Sequence, residues 1–326
     1  MAPDAEAILR ASRRPLVIGM GGGGDVVGAL ATAEAMRIYD GGEGLVGGLT
    51  WERRPIDPVP GARRMSEIEG GWPLAGGVLL AGPQTRVRDR DVVFAESHMA
   101  AYLNRPTVLV DPSDGAAETA AGLAAAATAL RRDLIVFVDV GGDVLAQGDE
   151  PGLRSPLCDA LMLAVAGRLQ AAGRAVLLGI FGIGCDSELT ADEVLDRLAD
   201  VAAADGLGGV RGLTEPVAAR LEGSLALVPT EASAQAVRAF RGVSGTVAIR
   251  EGTRNLELTS LAAQTWYLDV AATIGAVGRL ARGVADAPSL DDANHRLHEL
   301  GVRTELDLER DAAARAGDTT AGPEPG

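Results

Sequence analysis

Short apolar runs without polar interruption recur along the first 180 residues, and helical patterns separate them. The runs lie at 16–18, 44–49, 78–80, 91–94, 107–110, 134–138 and 175–180. Helical spacing of apolar residues fills 26–38, 95–103, 116–130 and 157–171. A strand with one wet face alternates apolar and polar residues, whereas a strand covered on both faces does not. Strands that alternate with helices require parallel crossovers. The pattern therefore predicts an α/β fold built on a doubly wound, mostly parallel sheet.

Beyond residue 189 the balance shifts to helical patterns at 191–204, 215–221, 232–240, 261–282 and 289–300, with one strand expected at 246–249. With 326 residues, 47% of them apolar, the chain can bury one large core or two ordinary ones. The expected organisation is an α/β core over 1–189 and a helix-rich part over 190–311, packed on the same sheet or forming a cap. A disordered tail is expected over 312–326, where apolar periodicity stops and proline and glycine end the sequence.

The stretch PLVIGMGGGGDVVGAL, from Pro15, sets four consecutive glycines between a strand pattern and a helix pattern. Gly19, Gly21 and Gly24 fit G-x-G-x-x-G in the strand-to-helix context that gives this spacing its meaning. Gly22 and Gly23 complete a loop that can approach a phosphate closely, and the helix start beyond it offers free N–H groups. The alternative is a tight turn packed for geometric reasons. Asp25 follows where a Walker loop needs lysine and a hydroxyl, so that class of ATPase is excluded. A carboxylate there repels a pyrophosphate unless a cation or a ligand hydroxyl intervenes.

Other strand ends carry similar residues. Asp139 ends one run and Gly141-Gly142-Asp143 follow it; Asp186 and Glu188 follow another within GIGCDSEL; Asp111 ends a third. A parallel sheet gathers such ends on one edge, where ligands bind. Acidic groups there are candidates for acid–base work at Asp139, Asp143, Asp186 and Glu188, and for Mg²⁺ at Asp143 and Asp186, because Mg²⁺ prefers oxygen ligands shared with phosphate. Each also has a local explanation as a cap or a turn residue.

Further ligand-binding candidates are Glu52, near the position of a ribose-binding acid, and Glu96, Ser97 and Arg254, the last as a clamp on a phosphate or carboxylate. Ser155 precedes Pro156 at an expected helix start, with Asp159 in its first turn. Three histidines, two of them on a charged helix pattern, give little support to a histidine triad or a zinc hydrolase.

The formal charge of −15 disfavours nucleic acid and anionic membranes as partners. Neither a bilayer-length apolar segment nor a signal peptide is present in the sequence, so a cytoplasmic location is expected. Cys158 and Cys185 read as buried thiols. A small-molecule ligand is the expected partner, and the sequence is compatible with a homo-oligomer.

Taken together, GMGGGGDVVGAL, TWERRPIDPVPG, VDVGGD, SPLCDALML, GIGCDSEL and EGTRNLELTSL resemble the family known as domain of unknown function 1152, over about residues 14–305. The resemblance implies a Rossmann-like α/β fold and supplies no catalytic residue. It also marks a departure, since Cys185-Asp186-Ser187-Glu188 stands where Gly-Asp-Gly-Glu is expected. Three functions are compatible with the sequence. The first is a metabolic enzyme acting on a phosphorylated or nucleotide-like metabolite with Mg²⁺. The second is an NAD(P)-dependent oxidoreductase using the glycine loop and Glu52. The third is a non-catalytic metabolite sensor or assembly subunit.

Overall fold

A computed structural model describes residues 4–320. Its strands, numbered in chain order, are β1 (Pro15–Gly19), β2 (Leu45–Leu49), β3 (Ile68–Glu69), β4 (Trp72–Ala75), β5 (Val78–Ala81), β6 (Arg86–Val87), β7 (Thr107–Val110), β8 (Leu134–Val140), β9 (Val176–Phe181), β10 (Leu207–Gly212), β11 (Gly245–Ile249), β12 (Arg254–Leu258) and β13 (Gln264–Leu268). Nine of them form one sheet in the order β10-β13-β9-β8-β1-β2-β7-β5-β4. The middle five are parallel. From β1 the chain winds outward through β2 to β7, then returns to β8 on the other side of β1 and continues to β9. This is the Rossmann-like doubly wound order, and its switch point lies between β1 and β8.

Alternate residues of the central strands feed two cores. Leu16 and Ile18 join Ile135 and Phe137 on one face, packed against the helices Gly115–Ala129 and Pro156–Ala171. Val17 joins Val136 and Val138 on the other, packed against the helix Val26–Ala35. Burial on both faces explains why these strands lack polar alternation; each fully buried large side chain contributes about 1.5–3 kcal/mol.

The sheet's flanks are antiparallel: β5 on β7, β4 on β5, β13 on β9 and β10 on β13. The helix-rich part thus contributes two strands, β10 and β13, to the sheet of the first part. Its helices Glu215–Leu225 and Glu231–Phe240 cover one face and Arg279–Val284 and Leu290–Glu299 the other.

Three sequence expectations are corrected, and the strand expected at 246–249 is present as β11. The long helix over 261–282 is divided, because Thr265, Trp266 and Tyr267 form β13 and only Val270–Ala276 and Arg279–Val284 are helical. The run at 91–94 is no strand; its one ladder contact is a bridge from Val93 to Arg86. The strand at 246–249 is half of a hairpin with β12. The helix Glu305–Thr320 replaces the expected tail as far as residue 320, supported by its alanine-rich sequence and by contacts of Glu305 and Glu309. Residues 321–326 of that tail lie outside the described residues. Among the described residues, no helix is long and apolar enough to cross a membrane.

Candidate functional site

At the carboxyl ends of the parallel strands, over the switch point, lies a cavity of about 780 Å³. The glycine loop forms one side. Met20 N–H continues the sheet by donating to Val138 O; Gly21 N–H donates to Asp25 Oδ2 at 2.9 Å and Gly23 N–H to Trp51 O at 2.9 Å. Two amides expected to cradle a phosphate therefore already have partners inside the loop.

The glycines also have packing reasons. Gly22 has φ +81°, and a side chain there would begin 2.8 Å from Trp51 O. A side chain on Gly24 would overlap Thr230, which immediately precedes the helix Glu231–Phe240. Gly24→Ala is accordingly expected to cost about 1–3 kcal/mol in urea unfolding through overpacking. Unchanged stability would mean that Thr230 moves aside freely.

The strand-end acids converge. Asp139, Asp143 and Asp159 each bring a carboxylate oxygen within 4.8 Å of the others, and so do Asp143, Asp186 and Glu188. Asp139 leaves the end of β8, Asp143 the turn after it, Asp186 and Glu188 the loop after β9, and Asp159 the first turn of the helix Pro156–Ala171. Gly141, at φ +128°, makes this possible: a side chain there would occupy the space of the Asp186 carboxylate. Ser187 adopts φ +66° without being glycine, so the loop holds a serine where glycine would sit without strain.

Burial raises the pKa values of the aspartates here, and mutual repulsion adds to it. Burial, then the charge of Asp139, lifts Asp25 to about 8. Burial lifts Asp139 to about 7. Asp143, Asp159 and Asp186 are held well above the carboxylate range by burial, reinforced first by Asp159, Asp139 and Glu188 respectively.

Glu52 reaches the cavity from the end of β2, while its Oε1 accepts the N–H of Ala95 at the start of the helix Ala95–Leu103. Burial lifts it to about 7. Glu96 lies behind it, 1% exposed, away from the cavity wall, and is raised by burial and by Glu52. Gly19 is buried beneath Asp25. Like Glu96, Gly19 and Asp139, two further candidates do not line the cavity. Ser97 Oγ donates to Thr85 O, and Arg254 donates to Gly152 O. Asp111 is also elsewhere, accepting from the N–H groups of Ser113 and Met65.

Sequence reasoning passed over the basic members of the wall, Arg53, Arg54 and Arg250. Arg53 donates to Gly21 O, stacks 4.6 Å from the centre of the Trp51 ring, and pairs with Glu305 at 3.4 Å and Glu309 at 3.6 Å. Arg53 and Arg54 directly follow Glu52, so the strand-end rule that singled out the glutamate covers them too. Arg250 sits in the hairpin turn between β11 and β12, paired with Glu231, and no sequence signal marks it.

Residues 16–313 match the family described as Protein of unknown function (DUF1152). The chain belongs to that family. No curated protein and no solved structure matches it. The six sequence stretches that carry the family resemblance all contribute to the cavity wall, for example through Gly21, Glu52, Asp143, Asp159, Asp186 and Glu251.

Proposed function

We propose that the protein is a cytoplasmic metabolic enzyme acting on a phosphorylated or nucleotide-like small molecule, with Mg²⁺ held by acidic groups at the strand ends. One observation carries this reading: buried carboxylates and three guanidinium groups line the same cavity at the switch point of the sheet. The carboxylates need a cation, and a phosphate needs cations too. Mg²⁺ shared between them, with arginines on the free phosphate oxygens, answers both needs. The volume suits a nucleotide-sized ligand. Asp25, with a pKa near 8, is suited to proton transfer at neutral pH. A nicotinamide dinucleotide is less well accommodated, because its pyrophosphate would meet Asp25 where that carboxylate holds Gly21 N–H.

Thermal-shift measurements with ATP, ADP, sugar phosphates and NAD, each with and without Mg²⁺, test the reading. A phosphorylated ligand is expected to raise the midpoint only with Mg²⁺; at a hundredfold excess over Kd the gain is about 2.7 kcal/mol. A shift by NAD that is indifferent to Mg²⁺ would replace this reading with the oxidoreductase one.

A further inference from the structure

Two groups of carboxylates meet at Asp143, and both have the spacing of a metal site. Their oxygens are not equally free. Glu188 Oε2 accepts the N–H groups of Arg154 at 2.7 Å and Ser155 at 2.8 Å, and its Oε1 accepts Ser155 Oγ. Asp186 Oδ1 accepts Glu188 N–H at 3.0 Å. These bonds hold the turn that leads into the helix Pro156–Ala171. An ion bound there would compete with them.

The other group differs. Asp139 is 1% exposed and Asp159 2%, and Asp139 Oδ2 and Asp159 Oδ1 have no hydrogen-bond partner. A buried polar atom without a partner is costly, so two of them on facing elements point to cation binding, although Asp139 also accepts the N–H groups of Gly142 and Val144. We infer that the divalent cation of the proposed reaction seats on Asp139, Asp143 and Asp159, while Asp186 and Glu188 position the loop and helix start around it. This rests on the reading given under Proposed function and deepens it.

Three carboxylates and no nitrogen or sulfur donor suit a hard, six-coordinate ion such as Mg²⁺ or Mn²⁺. Asp143 and Asp159 line the cavity, so the remaining coordination positions face the ligand. Asp159 Oδ2 lies 3.6 Å from where a side chain on Gly21 would begin. The ion therefore sits beside Gly21 of the glycine loop, whose carbonyl accepts from Arg53.

Mn²⁺ titration of the full chain, followed by electron paramagnetic resonance, tests the seat. Asp159→Asn and Asp139→Asn are expected to weaken Mn²⁺ binding at least about tenfold. Asp186→Asn, whose amide oxygen can still accept Glu188 N–H, should stay within about threefold, the residue of a lost nearby charge. Fe²⁺ with ascorbate and peroxide, applied to the wild-type chain, should cut the backbone near 139–143 and 159, a readout that needs no variant to fold. Loss of binding in Asp186→Asn with retention in Asp159→Asn, or cleavage confined to 186–188, would overturn the assignment and leave the metal-assisted reading standing. A wild-type chain that binds no Mn²⁺ at millimolar concentration would remove both.

Discussion

The metal-free protein is expected to lose stability as pH rises from about 5 to about 8. Asp25, Asp139 and Glu52 have folded-state pKa values of about 8, 7 and 7, raised chiefly by burial. In the unfolded chain the same groups titrate near pH 4. Between these limits the unfolded state has released protons that the folded state still binds, so their stabilising contribution is complete below about pH 4 and is lost as pH climbs through the folded values. Each group alone sets a slope of up to about 1.4 kcal/mol per pH unit. The melting midpoint in EDTA should therefore fall by several degrees between pH 5.5 and pH 8. Asp143→Asn, which removes the charge common to both carboxylate groups, should flatten that fall and raise the midpoint at pH 8, the signature of stability exchanged for function. A midpoint that is flat or rises with pH in the wild-type protein would refute the buried-carboxylate account.

Glu305→Ala should have the largest effect on stability outside the hydrophobic cores. Its carboxylate, 5% exposed, accepts the N–H groups of Leu157 at 3.0 Å and Cys158 at 2.9 Å and pairs with Arg53. Truncation strands two buried amides at the start of the helix Pro156–Ala171 and takes a partner from the partly buried guanidinium of Arg53. The cost is expected to be about 3–5 kcal/mol in urea unfolding. Glu305→Gln should cost less, because the amide oxygen can still accept one N–H. A loss below about 1 kcal/mol for the alanine variant would show that water replaces the carboxylate at no great penalty.

The central strands were legible because burial on both faces removes alternation, as in LIVFVDV of β8. Of the antiparallel flanks, β5 was legible as the run at 78–80, but β4, β10 and β13 were not. QTWYL of β13 sits inside a longer apolar pattern that reads as helix, and only its aromatic and β-branched residues mark the strand. The reach of Asp139, Asp143, Asp186 and Glu188 to one edge was legible from topology alone, since a parallel sheet must collect those ends. What each carboxylate does there was not, because it depends on which oxygens local N–H groups occupy. Asp159 shows this best: a carboxylate in a first turn is also well placed against the helix dipole, and the unpartnered Oδ1 that sets it apart is visible only in the structure. Arg250 was hidden for another reason, as it reaches the cavity from a hairpin far along the chain.

The order of pairing at the sheet's flank has a consequence for synthesis. β10 is joined to the sheet only through β13, which lies between it and β9 yet follows it in sequence by some fifty residues. As the chain emerges from the ribosome, β9 has no neighbour on that side and β10 has none at all until β13 appears and inserts between them. Such non-local pairing is slow and leaves a strand edge open to other chains while it waits. A chain that ends before β13 is therefore expected to aggregate more readily than the finished fold.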